Sequence, residues 1–205
     1  MSIAPDDFAF FRDWKPFEAL RQQVIPEIVS RRSGLKRIDI WFAASSSGQE
    51  LYSVAMLIRE HFPLLQGWDL QLHASDISQE MLARTSAGRF STLEVNRGLP
   101  AAYLLKYFRR EGAEFVIDEA LRKLVRPWLM NLAAPWPGLP TMDLVLMRNV
   151  LIYFDLPTKR AILERTRKQL RPEGALLLGS AETTLGVCEG WARAEVAGTT
   201  IFRLA

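Results

Sequence analysis

The chain has 205 residues, 49% of them hydrophobic and 24% charged, with a formal charge of +3, which suits one α/β domain with a small insertion and excludes two large domains. Its arginines, among them Arg31, Arg32, Arg109, Arg110, Arg165 and Arg167, are spread along the chain rather than gathered into a basic stripe interleaved with aromatics, so a nucleic-acid partner is not expected. One cysteine, Cys188, with no histidine-cysteine cluster beside it, excludes an internal disulfide and gives no sign of a metal site, and no stretch approaches the roughly 18 apolar residues of a membrane span.

In chain order, residues 8–31 place apolar side chains at Phe11, Trp14, Phe17, Leu20, Val24, Ile25 and Ile28, with Pro16 and Pro26 as breaks or first turns, and predict one or two helices within an N-terminal segment of residues 1–36. A strand over Arg37–Ala44 leads through Ser45-Ser-Ser-Gly into a helix over Gln49–His61. A second strand, Asp69–Ser75, ends at Asp76 and precedes a helix over Glu80–Ala87 with a cap at Ser78. The stretch 99–130 breaks the alternation and reads as an inserted subdomain of short helices and antiparallel strands. Residues 128–140 read as a loop, and Met142–Met147 is nearly all apolar, as a strand buried on both faces should be. A helix over Leu156–Leu170, a strand over Ala175–Gly179 and a last strand over Thr199–Leu204, antiparallel at the sheet's far end, complete a domain spanning 37–205.

The first strand, a loop of small residues with one glycine and the following helix form a cofactor cradle, because backbone approaches a ligand closely only where side chains are small. In an open α/β sheet, ligands sit beyond the carboxyl ends of the strands. With Asp76 ending the second strand, the pattern suggests adenosine binding.

Several segments then carry a resemblance. Ala43-Ala-Ser-Ser-Ser-Gly-Gln-Glu-Leu-Tyr-Ser, Ala74-Ser-Asp-Ile, Tyr107-Phe-Arg-Arg, Asn131-Leu, Arg148-Asn-Val-Leu-Ile-Tyr-Phe and Leu170-Arg-Pro-Glu-Gly-Ala-Leu-Leu-Leu-Gly-Ser-Ala-Glu resemble the CheR chemotaxis methyltransferase family, in family order from about Phe10 to the C-terminus. The resemblance implies a cytoplasmic enzyme with a Rossmann-like sheet and a small inserted β-subdomain. Such an enzyme moves a methyl group from S-adenosylmethionine to glutamate side chains of chemoreceptors, leaving S-adenosylhomocysteine, without inserting into the membrane. It also implies an N-terminal helical domain, of which almost nothing precedes Phe10.

By resemblance, Gly48, Glu50, Asp76, Asn131, Leu132, Arg148 and Asn149 bind the cofactor, Arg12 reaches its methionine end and acts in catalysis, and Tyr153 faces the transferred methyl. Plainer readings stand beside these. Asp76 could cap the next helix, Glu50 could suit the helix dipole, Arg12 could be a surface arginine, and Tyr153 could be a core tyrosine. His73 and His61 are read as structural. No strong general base is expected, since a glutamate acceptor with a pKa near 4.3 is already ionised at neutral pH.

The chain departs from the family pattern at Gln49, where a glutamate is usual, at Asp6 and Phe8, where an asparagine and a threonine are usual, and in the run Gly179-Ser-Ala-Glu-Thr183. A small-molecule methyltransferase and a cofactor- or partner-binding module without turnover are the alternative functions, because fold alone does not choose an acceptor.

Overall fold

A computed structural model describes residues 9–205. Its main sheet has seven strands in the order β6-β2-β1-β7-β8-β10-β9. These are β1 (Arg37–Ala43), β2 (Asp69–Asp76), β6 (Val125–Leu129), β7 (Met142–Met147), β8 (Leu170–Leu178), β9 (Trp191–Val196) and β10 (Thr199–Leu204). The run from β6 to β8 is parallel, and β10 is antiparallel to both β8 and β9. Strand order reverses between β1 and β7, which opens the ligand crevice of such a sheet beyond their carboxyl ends.

The central strands are apolar because helices cover both faces. Ile38, Ile40 and Phe42 of β1 point into one core with Val54 and Ile58 of α3 (Gln49–His61). Trp41 and Ala43 point into the other with Ile162 and Leu163 of α8 (Leu156–Gln169). Ahead of β1, α1 (Lys15–Ala19), a π-helical turn (Leu20–Val24) and α2 (Ile25–Arg32) form one helical run. The Ile25 amide reaches back to the Leu20 carbonyl, a widened turn directly before Pro26, which has no amide hydrogen and crowds the preceding turn.

Between α4 (Gln79–Ala87) and β6 lies a three-stranded antiparallel sheet, β3-β5-β4, made of β3 (Arg89–Ser91), β4 (Phe108–Glu111) and β5 (Glu114–Ile117). Helices α5 (Thr92–Val95), α6 (Ala101–Tyr107) and α7 (Glu119–Arg122) accompany it. Phe90, Val95, Tyr107 and Ile117 belong to the same core as β1, so the small sheet has no separate interior. It draws on Arg89–Ser91, ahead of residue 99, while Val125–Leu129 is the edge strand of the main sheet, where Pro127 is tolerated. At the far end, β9 was not expected from the sequence. It pairs with β10 through a two-residue turn, Ala197-Gly198, with φ of 50° and 72°, the left-handed pair that suits a tight hairpin.

Away from the crevice, β1 and β7 bury two carboxylates, Asp39 and Asp143, at 1% and 3% exposure. Arg37 donates to both oxygens of Asp39, at 2.9 and 3.0 Å. Arg32 and Arg171 pair with Asp143 at 3.2 and 3.0 Å, and the Asp39 amide donates to Asp143 at 2.9 Å. His73 completes the cluster. The Trp128 indole can only donate, and it donates to His73 Nδ1 at 3.1 Å, so the ring proton sits on Nε2 and points at Asp39 Oδ1, 3.0 Å away. His73 is therefore structural.

Burial alone would raise the Asp39 carboxyl, but hydrogen bonds from His73 and Arg37 outweigh it and hold it down at about 2, whereas burial raises Asp143. A depressed carboxyl stabilises the fold above its unfolded-state pKa, and that contribution disappears as pH falls through the folded value. Asp39→Asn is expected to lower the unfolding free energy by about 2 kcal/mol at pH 7. In urea titrations the gap from the parent chain should close as pH approaches 2; a gap unchanged there would locate the loss in packing rather than charge.

Candidate active site

Chain direction turns sharply after β1. Ala44, Ser46 and Gly48 have φ of 56°, 50° and 93°, and alternating hands of this kind make a concave run of backbone amides. The loop is tied down by β2 and α4. The Ser45 amide donates to the Ser75 carbonyl at 2.9 Å, and the Ser46 amide to Asp76 Oδ2 at 2.9 Å. A Cβ on Gly48 would sit 2.9 Å from Thr85 Cγ2, so α4 forbids a side chain there as firmly as a close-lying ligand would. Thr85 also donates to the Ser46 carbonyl at 2.8 Å. The cradle is thus tied to both β2 and α4 by the protein's own hydrogen bonds.

Asp76 does not cap α4 itself but ties the cradle to the residue that does. Its Oδ1 accepts from the Ser78 amide at 2.9 Å, and Ser78 caps α4, while its Oδ2 holds Ser46. Each oxygen of an ionised carboxylate accepts more than one hydrogen bond, so both keep capacity for the two hydroxyls of a ribose. Beside it, the Met130 amide continues the ladder to the Asp76 carbonyl at 2.9 Å. Asn131 Oδ1 accepts from the Ala133 amide at 2.9 Å, and the Leu132 carbonyl accepts from the Trp136 indole at 3.0 Å. Those groups shape the loop; the buried Leu132 side chain supplies an apolar wall. Trp136 is itself held against Trp41 and under Arg165, whose guanidinium lies 4.8 Å from its ring.

At the end of β7, the Arg148 side chain is 3% exposed. It donates through Nη1 to Glu50, in the first turn of α3, and through Nη2 to Asp13 at 2.6 Å and to the Arg12 carbonyl at 3.3 Å. Glu50 and Arg148, 98 residues apart in the chain, are thus ion-paired. Burial raises the Glu50 carboxyl, against the opposing pull of Arg148 and of nearby Arg12. Arg12 itself is half-buried and adjoins this cluster. Tyr153 is 52% exposed, which removes the reading of it as a core residue.

Two further groups belong to this edge. Gln49 is 3% exposed; Ser47 Oγ donates to its side-chain oxygen Oε1 at 2.8 Å, but its side-chain nitrogen has no partner among the described residues. Glu182 binds the backbone of the loop after β7, starting with the Asn149 amide at 2.8 Å. Asn149 takes φ of 59°, a left-handed conformation asparagine tolerates better than most residues. Sequence reasoning noted Glu182 within a motif without assigning it a role, since its partners are main-chain groups that leave no trace in side-chain pattern. Asp6 and Phe8 lie outside the described residues.

The crevice therefore offers a backbone cradle, a carboxylate with spare acceptor capacity, a buried orphan donor at Gln49 and a mixed-charge cluster at Glu50, Arg148 and Arg12. This donor and acceptor set fits an adenosyl amino acid. Arg148→Met should cost about 3 kcal/mol in chemical unfolding, because it strands Glu50. Asp13→Asn, at a half-exposed partner, should cost less than about 1 kcal/mol. Equal losses would show that the ion pair to Glu50 is not what holds the cluster.

Comparison with known proteins agrees with this geometry. The family model for the CheR methyltransferase, SAM binding domain, matches residues 7–195. Chemotaxis protein methyltransferase 1 of Pseudomonas aeruginosa is 39% identical over 185 residues, covering 88% of this chain and 67% of that protein. Chemotaxis protein methyltransferase Cher2 of Pseudomonas putida is 36% identical over 190 residues, covering 91% and 69%. Chemotaxis protein methyltransferase 2 of Vibrio cholerae is 39% identical over 186 residues, covering 89% and 64%. The chain thus spans about two thirds of the length of these relatives. With its cradle, its Asp76 and its strand order, the chain belongs to the CheR methyltransferase family and is an S-adenosylmethionine-dependent methyltransferase.

Proposed function

We propose that this enzyme methylates glutamate side-chain carboxylates of chemoreceptor proteins. The observation that carries the reading is the half-exposed Tyr153 on the turn after β7, one turn beyond the buried Arg148 and beside a cofactor cradle of this family. Bound S-adenosylmethionine supplies an electrophilic methyl group on a sulfonium. A carboxylate oxygen forms a bond to that carbon as the carbon–sulfur bond breaks, and the electron pair stays on sulfur. No proton has to be removed from an ionised glutamate, so the protein's task is alignment.

The residues divide that task. Asp76 takes the ribose hydroxyls, the Gly48 loop and Leu132 bracket the adenosine, and Glu50 faces the amino group of the methionine end. Arg12 is a cation for the carboxylate of either partner, and the Tyr153 hydroxyl orients the accepting glutamate. An anion and a cation combine into two neutral products, so a site that excludes water favours the transition state over separately hydrated reactants. Arg148 holds Glu50 from behind, and Asn131 and Asn149 set the loops on which these groups ride.

Radiolabelled methyl transfer to receptor-containing membranes should give base-labile label, the mark of a carboxyl ester; stable label or none would overturn the reading. Asp76→Ala should weaken S-adenosylhomocysteine binding by roughly tenfold to 100-fold, from loss of charge-assisted hydrogen bonds of about 1.5–3 kcal/mol. Tyr153→Phe and Arg12→Ala should instead lower kcat more than they change that affinity.

Glu50 makes a pH prediction. Because burial raises its carboxyl, protonation begins above the ordinary glutamate range, and affinity for S-adenosylhomocysteine should decline as pH falls into that region. Calorimetry on Glu50→Gln should show weaker binding that no longer varies with pH there. A variant that kept the parent's pH dependence would assign it to another group.

A further inference from the structure

The Glu182 side chain does something that neither the family resemblance nor the reaction scheme requires of it. Its Oε2 accepts from the Asn149 amide at 2.8 Å and from the Gly179 amide at 2.7 Å. Its Oε1 accepts from the Val150 amide at 2.9 Å and the Ile152 amide at 3.3 Å. One carboxylate thus collects amide hydrogens from the loops that follow two neighbouring parallel strands, β7 and β8. Three of the four, from Asn149, Val150 and Ile152, belong to the chain entering and forming a single 3₁₀ turn, Leu151–Tyr153, whose leading amides have no partner within the turn.

The pocket for this carboxylate is built, not incidental. A Cβ on Gly179 would lie 2.7 Å from Glu182 Oε2 and 2.9 Å from the Asn149 nitrogen, so only glycine leaves the slot open. The Glu182 amide closes a turn onto the Gly179 carbonyl at 2.9 Å, which aims the side chain back along β8. Charge-assisted hydrogen bonds are about twice as strong as neutral ones, and here they converge on one loop. That loop runs from the buried Arg148 to the exposed Tyr153, and Tyr153 has no side-chain hydrogen bond among the described residues to fix it independently.

We propose that Glu182 is a positioning residue for methyl transfer: its carboxylate fixes the backbone of the 149–152 loop and so sets where the Tyr153 hydroxyl meets the accepting group. This rests on the reading of Tyr153 as the residue facing the transferred methyl. Glu182 acts through the turn and touches neither reactant. Misplacement by about 1 Å is enough to cost on the order of 100-fold in rate, while the adenosine side, held by Asp76 and Leu132, does not depend on this turn.

The test combines amide hydrogen exchange with steady-state kinetics on Glu182→Gln, Glu182→Asp and Gly179→Ala. Glutamine keeps the shape but replaces one acceptor oxygen with an NH2 group facing amide donors. Exchange at Asn149, Val150 and Gly179 should accelerate at least about tenfold as the loop opens locally. With receptor as acceptor, kcat should fall on the order of 100-fold, and the Kd for S-adenosylhomocysteine should change by less than about threefold. Glu182→Asp, which keeps both oxygens on a shorter stem, should fall between parent and Glu182→Gln. Gly179→Ala presses on the same carboxylate from outside and decides the matter if Glu182→Gln does not fold.

Unchanged exchange in a folded variant would overturn the proposal, as would faster exchange with unchanged kcat, or a loss of cofactor affinity equal to the loss of rate. If the parent enzyme labels no receptor glutamate, the substrate reading fails, and the exchange rates still decide whether Glu182 holds the turn.

Discussion

A guanidinium buried to 3% exposure must be met by carboxylates, and around Arg148 that requirement organises the whole carboxyl edge of the sheet. One partner, Glu50, comes from the first turn of α3; the other, Asp13, comes from the chain ahead of α1. The end of β7, the cofactor loop and the N-terminal segment therefore cannot be placed independently. Glu50 cannot be read simply as a ligand-binding residue or as a partner to the helix dipole. Its carboxyl is raised by burial even with Arg148 in contact, so its charge is only partly compensated by the protein.

The sheet carries a second charged cluster at the other end of β1 and β7, and the contrast supports the carboxyl edge as the site of chemistry. Around Asp39 and Asp143 the donors and acceptors form a nearly closed set: Arg37 and His73 satisfy one carboxylate, and Arg32, Arg171 and a backbone amide meet the other. A closed set offers nothing to a ligand and serves to let two charges sit among apolar strands. At the carboxyl edge the set is open. Asp76 keeps acceptor capacity, the Gln49 side-chain nitrogen has no partner among the described residues, and Tyr153 stands half in solvent. Polar capacity left over next to a hydrogen-bonded cradle separates a candidate binding site from a structural ion cluster.

What could be read from sequence was what local pattern encodes. The apolar run of β1, the small-residue loop and α3 stand where the pattern placed them, and β7 was legible because a strand buried on both faces has no polar alternation to confuse it. Besides the short β3, two strands were missed for opposite reasons. Residues 121, 124, 125 and 128 are apolar at helical spacing, yet only Glu119–Arg122 is helical and Val125–Leu129 adds to β2, because a parallel edge strand is selected by its neighbour rather than by its own period. In β9, Arg193 and Glu195 face solvent between alanines of weak strand preference, and only the Ala197-Gly198 turn betrayed the hairpin. Of the site, the cradle and Asp76 were visible as sequence. The Glu50–Arg148 pair and the Glu182 contacts join residues far apart in the chain, through ionic or main-chain partners that no local spacing records.

The N-terminal segment shows how such long-range constraints are stored. Phe11, Asp13 and Trp14 adopt φ of 49°, 66° and 39°, left-handed conformations that cost non-glycine residues about 1–3 kcal/mol each unless their surroundings enforce them. Here both sides enforce them. The Phe11 amide donates to Ser53 Oγ on α3 at 3.0 Å, and its ring packs between Phe17 and Tyr103. Phe10 lies against Phe90 and Phe108 of the small sheet, with its carbonyl so close to Gly98 that a Cβ there would fall 2.0 Å away. The strained segment is a joint: it fastens a small sheet without its own interior to the helix that begins at the cofactor loop. Arg12 sits in the middle of that joint, flanked by two phenylalanines before it and the Arg148 partner after it. Its placement therefore follows from burial on one side and charge on the other, which is why a short Phe-Phe-Arg-Asp run can carry so much of the site's geometry.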